Sequence, residues 1–171
     1  MSCPGTGRFG AVIAPIDTRT LRDVAGHFAT GVVVVTTRDA QSRYYGLTMN
    51  AVTCLSLDPP LYLICVANSS NTLEPLRSSG VFAVNILGEG QQELAQWFAG
   101  KNPDKFVDVP FHFGRLDIPL LDGAVAMIEC QLEALYPGGD HVIAVGSVAE
   151  LHVHGGHPLV FHRGRYLIVP P

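Results

Sequence analysis

The sequence predicts a mainly β protein: an antiparallel barrel, closed or partly closed, with a few short helices. Three observations point there. Strand-length apolar runs recur between turn signals and are joined as hairpins, with no regular alternation of strand and helix, which argues against a doubly wound sheet. Over residues 124–136, Ile128, Cys130, Leu132 and Ala134 alternate with Glu129, Gln131 and Glu133, the pattern of a strand buried on one face and solvated on the other. Between two further runs stands Asp58-Pro59-Pro60, where prolines that cannot donate to a ladder force a corner.

The elements follow in order. Residues 1–15, rich in glycine and small side chains, read as a flexible arm ahead of a single domain over 16–171. Asp17 or Thr18 is an N-cap for a helix carrying Leu21, Val24, Ala25 and Phe28 on one face and ending at Gly31. Residues 32–37 are a β-branched strand, 38–43 a polar turn, and 44–57 one long returning strand. Residues 61–67 are continuously apolar, so both faces of that strand should be covered. Residues 68–72 form a capping turn into a short helix, with Pro75 early and Gly80 past its end. A strand over 81–87 and a helix over 90–99 follow, the helix with Leu94, Trp97 and Phe98 on one side. Residues 101–114 are irregular and aromatic. After the strand over 124–136, the turn Pro137-Gly138-Gly139-Asp140 leads into a return over 141–154. A last pair, 159–162 and 165–169, closes on Arg163-Gly164.

Composition narrows the function. A chain of 171 residues, 47% hydrophobic and 15% charged, is one domain able to bury a sizeable core, with apolar surface left for a second copy to cover. The net charge is -4 and the only lysines are Lys101 and Lys105, a poor footprint for nucleic acid or an anionic membrane. Cys3, Cys54, Cys65 and Cys130 form no C-x-x-C pair and sit among apolar residues, as reduced buried thiols of a cytoplasmic protein do. No signal peptide pattern and no spanning apolar run is present.

The chemistry-bearing motifs are few. There is no G-x-S-x-G elbow, no Rossmann glycine fingerprint and no Walker loop. His152, His154 and His157 have the spacing of metal ligands, but the following Gly155-Gly156 makes them a solvated strand end, so no metal is expected. Asn68-Ser69-Ser70-Asn71-Thr72 offers hydroxyls, amides and the free N–H groups of a helix start, a set suited either to capping or to holding a phosphate. Gly139-Asp140-His141 is either an ordinary turn or a device placing an imidazole beside a bound ring.

Taken in order, the blocks Thr30-Gly31-Val32-Val33-Val34-Val35-Thr36-Thr37, Gly46-Leu47-Thr48-Met49-Asn50-Ala51, Leu55-Ser56-Leu57-Asp58-Pro59-Pro60-Leu61, Asn68-Ser69-Ser70-Asn71-Thr72, Phe82-Ala83-Val84-Asn85-Ile86-Leu87, Asp104-Lys105-Phe106, Pro119-Leu120-Leu121-Asp122-Gly123, Gly139-Asp140-His141 and Pro158-Leu159-Val160-Phe161-His162-Arg163-Gly164-Arg165-Tyr166 resemble the flavin reductase family. These are the reductase components of two-component flavin-dependent monooxygenases. The resemblance implies an antiparallel Greek-key split barrel of the FMN-binding type, roughly six-stranded and working as a homodimer. It implies an NAD(P)H:flavin oxidoreductase that passes reduced FAD or FMN to a partner monooxygenase.

By the same resemblance, flavin would be held by Thr48, Met49, Asn50, Ala51, Val52, Thr53, Cys54, Ser56, Ala67, Asn68, Ser69, Ser70 and Thr72, with Lys105 and Phe106 close by. NADH, with NADPH possible, would be met by His141, Arg163 and Tyr166. His141 would orient the nicotinamide rather than move a proton. Ala51, Val52 and Asn68 depart from the family's common Ser, aromatic and Lys at those positions. The alternatives are a split-barrel oxidase with tightly held FMN and a non-enzymatic flavin-binding module.

Overall fold

The structure, a computed structural model, describes residues 15–168; the N-terminal arm and Cys3 lie outside the described residues. It has three helices, α1 (Thr18–Gly26), α2 (Leu73–Ser79) and α3 (Gln92–Ala99). The strands are β1 (Thr30–Gly31), β2 (Val33–Arg38), β3 (Tyr44–Met49), β4 (Val52–Leu57), β5 (Pro60–Ala67), β6 (Val81–Ile86), β7 (Phe111–Phe113), β8 (Pro119–Leu121), β9 (Ala126–Gly138), β10 (His141–Val153), β11 (Val160–His162) and β12 (Arg165–Leu167). None of these helices is long and apolar enough to cross a membrane.

Seven strands form the main antiparallel sheet in the order β3-β2-β6-β9-β10-β5-β4. Its two edges, β3 and β4, are consecutive in the chain, and only Asn50 and Ala51 separate them. Six inter-strand spacings would hold the edges of a flat sheet roughly 28 Å apart. The connector spans at most about 11 Å. The sheet is therefore curled until its edges nearly meet, yet β3 and β4 do not pair: a barrel split along one seam. The single strand expected over 44–57 is thus two strands on opposite sides of that seam. Seven strands replace the roughly six implied by family resemblance. The corner after β4 contains a cis Asp58–Pro59 peptide.

The barrel interior is filled by Val33, Val35, Ile64, Val66, Phe82, Val84, Cys130 and Ala144, all buried. Of residues 61–67 only Ile64 and Val66 are fully buried, so the second face expected to be covered is only half-covered in the single chain. A second cluster lies under α3, where Ala95 and Phe98 pack with Val34 and Leu87. Gly46 permits it: a Cβ there would collide with the Phe98 ring. α1 is capped by Asp17, whose carboxylate accepts the Thr20 N–H at 2.9 Å. It ends at Gly26 rather than Gly31, and none of its residues is buried.

Two polar devices stitch the layers. Asn85, fully buried on β6, donates through Nδ2 to Val34 O (3.0 Å) and Thr36 Oγ1 (3.1 Å) and accepts the Leu121 N–H at 2.8 Å. Thr36 in turn donates to Pro119 O at 2.6 Å, so β2, β6 and β8 share one network. The second device corrects the face assigned to Glu129. Strand alternation puts it on the outer face, but residues 114–118 fold over that face and bury it completely. Its carboxylate accepts N–H groups from Arg115 (3.1 Å) and Leu116 (2.7 Å), with His152 Nε2 at 2.9 Å, as a buried charge requires. Gly114 is needed there, because a Cβ would strike that carboxylate.

The β2–β3 turn is pinned by Asp39. Burial alone would raise this carboxyl, but the Arg43 N–H (2.9 Å), the Arg43 Nε (2.7 Å) and the Gln41 N–H (2.9 Å) outweigh it and hold it at about 2. A folded-state value below the ordinary 3.8 means stabilisation is present above that value and is lost as pH falls through about 2. Asp39→Asn should therefore flatten the acid limb of a pH–stability curve across that window. An unchanged acid limb would dismiss the turn as its source.

Candidate functional site

Two polar turns far apart in sequence meet at one end of the barrel. β5 pairs with β10 so that Ala67 stands opposite His141. The Asn68 N–H donates to Asp140 O at 2.9 Å, and Asn68 Nδ2 donates to Gly139 O at 3.3 Å. The phosphate-type turn and the Gly139-Asp140-His141 turn therefore form one surface.

His141 Nδ1 lies 2.7 Å from Asp140 Oδ1. The hydrogen bond from His141 and then its charge hold the Asp140 carboxyl below the usual carboxylate range. A carboxylate can only accept, so Nδ1–H donates to Asp140 and Nε2 is the ring nitrogen left out of this contact. The ring is about half-exposed, at 43%.

Within the other turn Ser70 is the local organiser. Its Oγ accepts the Thr72 N–H at 3.2 Å, and its carbonyl accepts the Leu73 N–H. Thr72 occupies the N-cap position of α2 but makes no side-chain cap bond and is buried. Ser69 and Asn71 are exposed. The turn thus presents side chains outward at Ser69 and Asn71, beside the start of α2.

Along β5 from this turn lies a cleft of about 350 Å³. Ala25 and Phe28 wall it on the α1 side and Thr30 on β1, Asn50 and Ala51 form its corner, Val52 and Thr53 line it from β4, and Leu63 is its floor. Asn50 Nδ2 donates to Thr30 Oγ1 at 3.2 Å and so ties the corner to β1. Val52 is level with Ile64, three residues from Ala67 along β5, so the cleft and the turn are about 10 Å apart along the strand. A flat ring with a flexible anionic tail fits that layout. β4 itself is almost wholly exposed, including Cys54, which corrects the expectation that this thiol is buried. Cys130 is the buried thiol, pushed up to about 12 by burial and by the Glu129 charge.

The remaining expected residues divide. Met49 packs against the barrel core, Ser56 is half-buried opposite Leu61 and outside the cleft lining, Ala67 is half-buried next to the turn, and Arg163 sits exposed in the β11–β12 turn. The Arg163 N–H donates to Gly26 O at 2.9 Å, which brings that turn to the α1 wall of the cleft. Tyr166 packs its ring on Phe161, and burial raises its phenol.

Thr48 is engaged elsewhere, donating to Ala95 O at 2.7 Å. Lys105 likewise donates to Gly46 O (3.0 Å) and Phe98 O (2.6 Å), its ammonium disfavoured by burial, and fastens α3 to β3. Phe106 belongs to an aromatic cluster with Tyr44, Phe98 and Phe111. The three-histidine strand end does not gather. His154 and His157 are exposed, whereas His152 is half-buried and serves Glu129. One ligand atom each from Glu129, Glu150 and His152 lies within 4.8 Å of the others, but the inner carboxylate is already satisfied by its N–H donors and His152. Sequence reasoning missed Phe28, Thr30 and Leu63 as cleft residues and Asp140 as the partner of His141; only the motif Gly139-Asp140-His141 hinted at the last.

The split antiparallel barrel sets a polar turn beside a hydrogen-bonded imidazole, and similarity to known proteins gives the protein's kind. A profile described as Flavin reductase like domain matches residues 25–170. The chain is 40% identical over 164 residues to the flavin-dependent monooxygenase reductase subunit HsaB of Rhodococcus jostii (strain RHA1), covering 95% of this chain and 84% of that one. It is 42% identical over 150 residues to a protein of Rhizobium meliloti (strain 1021) named as a probable flavin reductase, covering 88% of this chain but only about half, 48%, of that longer one. Among solved structures it matches the NADH:FAD oxidoreductase SgcE6 of Streptomyces globisporus C-1027, in complex with NAD and FAD fragments. That match has a TM-score of 0.87 and 37% identity and covers 95% of this chain and 98% of that one. The chain belongs to the flavin reductase like family.

Proposed function

We propose that this protein is an NAD(P)H:flavin oxidoreductase that delivers reduced flavin to a separate flavin-dependent monooxygenase. The observation that carries the reading is the meeting of the Asn68–Thr72 turn with His141 at one end of a cleft beside β4. Relatives named as monooxygenase reductase subunits and as an NADH:FAD oxidoreductase support the reaction, the cofactors and the partner, and favour this reading over a tight-binding oxidase or a passive binding module.

The donor set fits a flavin. The cleft is apolar enough for a ring, and the turn offers the exposed hydroxyl of Ser69 and amide of Asn71 to a phosphate, while Ser70 Oγ serves the Thr72 N–H and Thr72 is buried. When both cofactors are bound, the nicotinamide supplies hydride from C4 and the flavin accepts it at N5, so no protein acid or base is obligatory. The chain's part is alignment and exclusion of water. Asn50–Thr53 and Leu63 bound the ring pocket. His141, held through Nδ1, offers Nε2 to orient the nicotinamide. Neutral phosphate contacts suit a flavin that must leave after reduction.

We place the protein in the cytoplasm as a homodimer. Support for the dimer is the apolar surface on α1, the segment after it and β4: Leu21, Val24, Phe28, Leu55 and Leu57 are 47–86% exposed in the single chain, and a second copy would cover them. The deciding experiment is absorbance at the nicotinamide band with FAD or FMN and with NADH or NADPH. Rapid oxidation that depends on added flavin supports the reductase; none with any pair overturns it. Ser69→Ala should weaken flavin binding by roughly 1 kcal/mol for one lost hydrogen bond, more if it meets the phosphate charge. A fluorescence titration unchanged by that substitution would move the phosphate elsewhere.

A further inference from the structure

The turn assigned to the flavin phosphate and the turn carrying His141 are fastened together at one residue, Asn68. Its main-chain N–H is given to Asp140 O at 2.9 Å and its side-chain Nδ2 to Gly139 O at 3.3 Å. Both acceptors lie in the two residues immediately before His141, and Asp140 also takes His141 Nδ1 at 2.7 Å. On its other side Asn68 runs directly into Ser69 and Ser70, and Ser70 organises the start of α2. The tip residues Gly139 and Asp140 lie just beyond the ladder pairs that set His141 opposite Ala67 and Gly138. Gly139 stands at φ 73 with nothing within 4 Å of where a Cβ would be, so packing does not set its position. Asn68 is only weakly suited to be a phosphate ligand: its main-chain donor is spent, one of its two Nδ2 hydrogens goes to Gly139 O, and its Oδ1 is an acceptor that an anion would not use.

We propose that Asn68 is a positioning residue that couples the two halves of the site: seating an anionic tail on residues 69–72 sets the tip that aims His141, and nicotinamide binding tightens flavin binding in return. Such coupling is reciprocal in affinity. The inference rests on the flavin and nicotinamide reading above.

The test is a fluorescence titration of flavin with and without NAD+, which occupies the nicotinamide site without reducing the flavin, alongside steady-state NADH oxidation. In the unmodified chain NAD+ should tighten flavin binding by about fivefold or more. In Asn68→Ala, which keeps the main-chain bond to Asp140 O and loses the side-chain bond to Gly139 O, the flavin affinity alone should stay within about twofold, the effect of NAD+ should fall to about twofold or less, and KM for NADH should rise about three- to tenfold with kcat nearly kept. Asn68→Gln, which retains the amide donor, should recover part of the coupling. Three results would overturn the proposal: no effect of NAD+ in the unmodified chain, coupling intact in Asn68→Ala, or a large loss of flavin affinity alone, which would make Asn68 a phosphate ligand. If the unmodified chain oxidises no NADH with any flavin, the functional reading itself fails and this inference with it.

Discussion

His141→Ala slows flavin-dependent NADH oxidation by about ten- to a hundredfold, the range expected when a reacting group is misplaced rather than a chemical step removed. The expectation rests on geometry. The ring stands opposite Ala67 across β10 and β5, is locked through Nδ1 to Asp140, and leaves Nε2 unengaged at a half-exposed position. Flavin affinity should hardly change, because the phosphate-type turn keeps its own contacts through Ser70. Steady-state kinetics beside a flavin titration separates the two effects. Equal rates in variant and parent would take His141 out of the site, and a matching loss of flavin affinity would make it a flavin residue.

Asn85→Ala destabilises the fold by about 2–4 kcal/mol, because it strands the Leu121 N–H in a dry interior and leaves a cavity where the amide tied β2 to β8, while Thr36 keeps its bond to Pro119 O. For a chain of this size that corresponds to a fall in Tm of roughly 5–15 °C in a thermal melt. A melt unchanged within about a degree would mean that those groups find other partners. The residue is the penultimate one of β6, where the sequence shows only one polar letter inside an apolar run.

That contrast marks what local sequence can carry. Strand runs, hairpins and the proline corner are local, and period-two alternation reports them. The break at Asn50–Ala51 is not local: no glycine or proline interrupts residues 47–57, and the seam arises because the sheet curls until β3 and β4 fall at its two ends. The alternation in β9 places Glu129 on the outer face, but what covers that face comes from residues 114–118. Lys105 has the charge of a phosphate ligand, yet the carbonyls it serves belong to Gly46 and Phe98. In the candidate site the Asn68–Thr72 turn and His141 were both legible as motifs. Their adjacency was not, since it is set by the register of β5 against β10.

The seam has a further consequence. Among the described residues β4 ends the sheet, paired with β5 on one side and with no strand on the other. Its outer main-chain donors and acceptors form a ladder with one rail missing. A planar heterocycle edged with alternating donors and acceptors can serve as that rail, as an added strand does elsewhere. Recognition by main chain is largely indifferent to side-chain identity. Ala51 and Val52 can then stand at the corner and the start of the strand without a hydroxyl or an aromatic ring, while the curl of the barrel holds the strand's shape.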